Sequence, residues 1–287
     1  MKKWFVASGA LGWDGSGWPW EKPLVWSRII DPSLFTITTK TLTLNPNKGD
    51  WRAVKIYRRG VWNNMGLPNK GLHWWLNKHC PLYVWLQAVK GELGYKLKYK
   101  TLLSLTPFNK EEAKEMLFLL YEHGIFYDSN FKGIELNVSC PNTNAFQYDQ
   151  ILDIISAFKC GDMEDKLIII KLNYMQALHS TGFTNNQLKE LLPLCGAVSL
   201  NSVPDAFREG AWSGRFASDA NWATASNLKS LGFKVIFPSI WKYEDIQKCF
   251  DMGADAISFG SVHLLRPWAP TRWVRRYEKE NKNESKN

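Results

Sequence analysis

The sequence predicts one α/β domain folded as a (β/α)8 TIM barrel, and three observations carry that expectation. Short apolar segments recur eight times along the 287 residues. Helical patterns separate many of them. Several segments, "LIIIKL" (167–172) above all, are apolar nearly throughout, as strands buried on both faces of a parallel sheet must be. Eight such β/α units point to a closed barrel rather than an open doubly wound sheet.

In chain order the strands are expected at 4–8, 34–40, 101–106, 133–139, 167–173, 196–202, 234–240 and 255–261. The segment 109–124 reads as a helix, with Asn109 as N-cap, Glu in its first turn and Gly124 at its end. Helices ending in Gly are also expected at 149–161, 184–196, 226–232 and 242–253. Residues 272–287 mix both charge signs and read as a last helix that frays. The division is therefore a single barrel domain over 1–275 and a charged tail over 276–287. Residues 41–100 separate the second and third strands, too long a span for a plain β/α loop. They are expected to form an excursion over the barrel mouth, with a helix near 72–90. The connection after Ser202 is short, as if trimmed.

Composition narrows the class. The chain is 45% apolar and 14% aromatic with 15 Trp, enough for a large core. Its formal charge is +9, yet no run of five Lys or Arg occurs, so a nucleic-acid partner is not expected. Five widely spaced cysteines, with no C-x-x-C pair, fit neither a disulfide framework nor a zinc site and suit a reducing cytoplasm. No metal is expected. No apolar run approaches the length of a membrane span, and the opening "MKKWFVASG" is too short in apolar residues for a signal segment. The Trp-rich stretch 13–26 reads as a packed lid or an interface.

The chemistry collects at the strand C-termini, where a barrel builds its site. There stand Ser8-Gly9, Lys40, Ser104, Asn137 to Cys140, Lys171, Asn201-Ser202, Ser239 and Gly260-Ser261. A buried Lys needs a negative partner. No strand end supplies a carboxylate, and Glu135 lies two residues before Asn137 on the same face. The partner of Lys40 and Lys171 is therefore expected to be a bound anion, with a salt bridge as the alternative. Loops after the last two strands of a barrel often bind phosphate. Gly260-Ser261, with Ser213-Gly214 earlier, suits that. In "IELNVSCPNTN" (134–144) a strand breaks at Cys140-Pro141, leaving a thiol between Asn137 and Asn142. Such a cysteine is either buried and inert or reactive among amides that orient a substrate.

These residues resemble the dihydroorotate dehydrogenase family over roughly 4–270. The resemblance rests on "ASGALG" (7–12), "TTKT" (38–41), "NNMGLPNKG" (63–71), "LNVSCPNT" (136–143), "IIKLN" (169–173), "LNSV" (200–203), "SG" (213–214) and "FGS" (259–261), in the family's order. It implies FMN across the barrel mouth and oxidation of (S)-dihydroorotate to orotate in pyrimidine synthesis. Ala7, Ser8 and Gly9 would line the flavin ring, with Lys40, Thr41, Ser104 and Asn137 near it. Lys171 would sit at the N1/O2 edge, where reduced flavin carries negative charge. Ser213, Gly214, Gly260 and Ser261 would hold the phosphate. Asn63, Asn137, Asn142, Asn201 and Ser202 would frame the substrate, while Lys40 and the backbone of Met65, Gly66 and Leu67 bind its carboxylate. Cys140 would be the base that takes the C5 proton, which resembles the soluble class 1 enzymes.

One departure is plain. Pro238-Ser239 stands where the family usually has Gly-Gly, and Pro238 has no N–H for a phosphate. Ser239 keeps its N–H and adds a hydroxyl, so the site is expected to be rebuilt there. A homodimer is implied by resemblance alone. An NAD-linked enzyme would need a partner subunit carrying FAD and an iron–sulfur cluster; a fumarate-linked one would need none. Two other readings stay open: a related FMN barrel acting on another reduced pyrimidine, such as dihydrouracil or a tRNA dihydrouridine, and a barrel that has lost FMN and serves as a binding subunit.

Overall fold

The computed structural model describes residues 3–79, 97–139, 147–159, 163, 165–178, 182–200 and 202–284. Its strands are β1 (Trp4–Val6), β2 (Thr36–Thr38), β3 (Val54–Tyr57), β4 (Gly60–Asn63), β5 (Thr101–Leu105), β6 (Phe131–Asn137), β7 (Leu167–Leu172), β8 (Ala197–Leu200), β9 (Val203–Pro204), β10 (Ala211–Gly214), β11 (Val235–Phe237) and β12 (Ala256–Phe259). A closed barrel takes β1, β2, β5, β6, β7, β8, β11 and β12 in chain order, with β12 pairing back on β1. Every barrel pair is parallel. All eight expected barrel strands are present, most of them trimmed at their ends.

The barrel interior is layered because strand side chains alternate. Phe5, Leu102, Ile169, Ala197, Ile236 and Ala256 form an apolar cluster of their own inside it. Two residues further along the same strands, on the same face, come Ser104, Lys171, Ser199 and Ser258, all buried. β6 enters this polar layer with Glu135 and Asn137, likewise buried. Glycine is needed at Gly133: its φ is +132°, and a Cβ there would lie 1.9 Å from the Leu167 carbonyl oxygen. The larger apolar core lies between the barrel and its helices, around Phe35, Trp75, Phe158 and Trp222.

The helix expected over 109–124 spans Lys110–Glu122; Asn109 Oδ1 accepts from Glu112 N at 2.8 Å, and Gly124 turns at φ +63°. A last helix, Ala269–Glu284, is tied to β1 where Trp4 Nε1 donates to Glu278 Oε1 at 2.9 Å. Among the described residues no helix is long and apolar enough to cross a membrane.

The structure refines three expectations. The excursion carries the hairpin β3–β4 and the helix Leu72–His79; residues 80–90 of the helix expected there lie outside the described residues. The connection after β8, though short, is structured. It supplies β9 and β10, and β10 pairs antiparallel with β4, giving a second sheet in the order β3-β4-β10-β9. Strands this short leave little alternation to read. Third, the helix expected over 226–232 begins eleven residues earlier, as Arg215–Ser230. Its buried face holds Ala217, Ser218, Asn221, Trp222, Thr224, Ala225 and Leu228. Five of these seven are small or polar, so an apolar periodicity scan finds only its C-terminal part.

Candidate active site

At the C-terminal end of the barrel, polar side chains from successive strands bond to one another. Ser8 Oγ, just after β1, lies 2.9 Å from Thr41 Oγ1. Thr41 Oγ1 lies 2.9 Å from Ser104 Oγ on β5 and accepts from Asn137 Nδ2 at 3.1 Å. Ser104 Oγ donates to Glu135 Oε1 at 3.0 Å, and Lys171 Nζ donates to the same oxygen at 3.4 Å. Ser199 Oγ donates to Glu135 Oε2 at 3.3 Å. Asn137 is fixed in orientation, because its Oδ1 also accepts from Ser139 Oγ at 2.6 Å. One connected row thus reaches from β1 to β8. It brings together Ser8, Thr41, Ser104, Asn137 and Lys171, all singled out from the sequence, and adds Glu135 and Ser199.

Of the two partners expected for Lys171, a bound anion or a salt bridge, the structure shows the salt bridge. The partner is Glu135, on the neighbouring strand one layer below the mouth. In register Lys171 faces Asn137, and Glu135 faces Ile169, so the ion pair is diagonal. A four-carbon stem reaches down one layer, which inspection of strand ends alone does not allow for.

Lys40 is placed differently. Its Nζ lies 5.4 Å from the ring centroid of Trp51, a residue of the excursion. Trp18 packs edge-on against Trp51 at 5.9 Å and donates from Nε1 to Gly9 O at 2.9 Å. Gly9 has φ +75°, and a Cβ there would meet Lys40 Cδ at 2.9 Å. The Trp-rich segment therefore packs inward through Trp18, while Trp20, stacked on Trp18 at 5.8 Å, and Trp26 face solvent. Glu21 in the same segment is buried. Its Oε2 accepts from Trp18 N at 2.9 Å, and burial pushes its carboxyl up to about 7.

Asn63 ends β4, and the loop after it holds Gly66 at φ +66° and Leu67 at φ +57°. A leucine in the left-handed region is strained and persists only where its surroundings fix it. Here Asp50 N donates to Met65 O at 2.7 Å, and Asn69 Nδ2 donates to Leu67 O at 2.8 Å. Asn69 Oδ1 in turn accepts from Gly71 N at 2.8 Å and Thr43 N at 3.2 Å. Sequence reasoning singled out this loop but missed its clamp, Asn69. The signal was Asn two residues before Gly, an Asx-turn spacing.

The other end of the mouth gathers the residues assigned to phosphate. Ser261 Oγ donates to Ser213 Oγ at 2.6 Å, and Ser213 Oγ donates to Val61 O at 3.2 Å. Gly214 (φ +81°) is the N-cap of the helix Arg215–Ser230. A Cβ there would lie 2.9 Å from Gly60 Cα and 3.0 Å from the Trp241 ring. Ser239 is left-handed at φ +65°, the conformation a glycine would take. Its carbonyl accepts from Ser218 Oγ at 2.8 Å, and its Oγ accepts from Asn221 Nδ2 at 3.1 Å. Trp222 Nε1 donates to Pro238 O at 2.8 Å. At Gly260 a Cβ would crowd Ala7 Cβ at 3.2 Å. Hydroxyls, glycine backbone and the first turn of a 16-residue helix meet here, a donor set that fits a phosphate.

Cys140, Asn142 and Asn201 lie outside the described residues, as do Cys80 and Cys160. Ser202 follows β8, half-buried. Cys195 and Cys249 are free thiols that burial pushes up to about 12, which fits inert packing residues. Among the described residues no three His, Cys, Asp or Glu side chains are grouped to hold a metal.

Residues 25–205, more than half of the chain, match the family model of dihydroorotate dehydrogenase. The fold is similar to a crystal structure of dihydroorotate dehydrogenase from Eimeria tenella, in complex with ferulenol, at a TM-score of 0.60 and 14% identity. That similarity covers 94% of this chain and 78% of the other. The comparison with curated proteins gave no match.

Proposed function

The chain belongs to the dihydroorotate dehydrogenase family of oxidoreductases, and from that premise we propose that it oxidises (S)-dihydroorotate to orotate, a step of pyrimidine synthesis, with FMN as cofactor and Cys140 as base. The observation that carries the reading is the buried polar row at the mouth. It sets Lys171, Asn137, Thr41, Ser104 and Ser8 at one level, directly above an apolar layer.

FMN, when bound, supplies the acceptor for the hydride that leaves substrate C6. The chain supplies the rest. Ala7, Ser8, Gly9, Thr41, Ser104 and Asn137 line the ring, and Lys171 places a fixed positive charge where electron density builds up. Ser213, Gly214, Ser239, Gly260 and Ser261 hold the phosphate. Lys40 and the strained turn Met65-Gly66-Leu67 bind the substrate carboxylate. Asn63, Asn137, Asn142, Asn201 and Ser202 orient the pyrimidine through amide and hydroxyl groups that both donate and accept. Trp51 lies against the Lys40 ammonium and adds a cation–π contact to it.

Cys140 takes the C5 proton. An ordinary thiol titrates near pH 8.5, so the rate is expected to rise with pH into the alkaline range. Cys140→Ser should slow the reaction by roughly 10²–10⁴-fold near neutrality. A flat profile from about pH 6 to 9, with chemistry rate-limiting, would remove Cys140 from the role.

The first test is an absorption spectrum of the purified protein, followed by anaerobic dihydroorotate. A flavin band that bleaches is expected. A flavin band that persists moves the reading to another reduced pyrimidine. Protein that stays colourless after incubation with FMN ends it.

A further inference from the structure

Glu135 takes no part in the proposed reaction, in which Lys171 stands against the flavin; the role assigned to it rests on that reading. Its carboxylate is nevertheless buried one layer below the mouth, bonded to Lys171 and Ser104 through Oε1 and to Ser199 through Oε2. We propose that Glu135 is a positioning residue: it fixes the Lys171 ammonium and the Ser104 hydroxyl at the level of the cofactor ring, and its negative charge holds the flavin's reduction potential down.

The first half rests on reach and entropy. A lysine ammonium on a flexible stem occupies many rotamers unless a partner selects one. The described partner is a carboxylate held on both sides, by Ser104 from β5 and Ser199 from β8, so it cannot follow the lysine if the lysine swings. The same carboxylate orients Ser104, whose oxygen lies 2.9 Å from Thr41 Oγ1. Removing Lys171 alone would leave a buried carboxylate without its cation, whereas removing both charges would not.

The second half rests on Coulomb's law in a buried site. A lone ammonium at the N1/O2 edge would stabilise the negative charge that reduction brings. A carboxylate 3.4 Å from that ammonium cancels part of the field, and both groups are shielded from solvent. Taking away the carboxylate charge should make the flavin easier to reduce.

Two measurements on the full chain decide this. In the FMN-loaded protein, Glu135→Gln should raise the two-electron midpoint potential by about 30 mV or more, a tenfold change in the reduced-to-oxidised ratio. In the apoprotein, Lys171→Met should melt well below wild type, and Glu135→Gln/Lys171→Met should melt above Lys171→Met alone. If Lys171→Met does not fold, soluble yield of the single and double variants gives the same ordering. A potential unchanged by Glu135→Gln overturns the electrostatic role, and a double variant no better than the single overturns the pairing. Failure of the wild type to bind FMN overturns the functional reading instead, and the melting order still decides the pairing.

Discussion

From β1 to β8 the barrel mouth is held by side chains that reach across it: Ser8 to Thr41, Thr41 to Ser104, Ser104 to Glu135, Glu135 to Lys171. At the end of β11 it is held largely from behind. Ser218, Asn221 and Trp222, spaced to lie on one helix face, reach the carbonyls and hydroxyl of Pro238-Ser239. The first arrangement is intolerant of change, because each group lost strands its neighbour in a buried site. The second lets the strand end vary, since the helix supplies the geometry. That arrangement lets Pro238-Ser239 stand at the end of β11, with Ser239 held in the left-handed region. The family match ends at residue 205, before the second arrangement begins.

The comparison can be broken most severely at Gly133, in the strand that carries Glu135 and Asn137. Gly133→Ala would drive a methyl into Leu167 O and is expected to cost more than about 3 kcal/mol, or to prevent folding, by chemical denaturation. A loss under about 1 kcal/mol would mean that β6 and β7 can slip without harm.

Next comes Glu21, which supports Trp18 behind Gly9. Its carboxyl titrates near 7 in the folded protein against 4.5 for the ordinary group. Between those values the folded state holds a proton that the unfolded chain has released. Stability is therefore highest below about pH 4.5 as far as this group is concerned, and falls as pH rises to about 7. Glu21→Gln should remove that slope, which is on the order of 2 kcal/mol, in melts taken across pH.

Gly214→Ala tests the phosphate side. Added bulk against Gly60 and Trp241, at a φ of +81°, should lower the apoprotein's stability by about 1–3 kcal/mol and weaken FMN binding roughly tenfold by titration, about 1.4 kcal/mol. The smallest effect is expected at Ser239. Ser239→Gly relieves a left-handed residue of roughly 1 kcal/mol of strain and loses one hydrogen bond of about the same value. Stability and FMN affinity should change little. A large loss would show that the serine hydroxyl, and not the helix behind it, maintains this turn.

Most of the site was legible because its residues are local signals. Lys40, Asn137 and Lys171 stand out as polar residues ending apolar strands, and Gly66 and Gly214 mark turns. The partner of Lys171 was not legible, since Glu135 reads as an ordinary alternating residue one layer down. Nor was the second sheet, whose four strands come from two loops more than a hundred residues apart.

By itself the sequence determined the eight apolar strands, the β/α alternation that implies a barrel, and the level at which polar side chains enter it. Those follow from a period of two and from burial, both of which are written in neighbouring residues. Only the tertiary structure decided which polar groups meet. The Glu135–Lys171 bond joins residues 36 apart, and the Asn137–Thr41 bond joins residues 96 apart. Such pairs depend on strand register and side-chain reach, which a residue pattern does not carry.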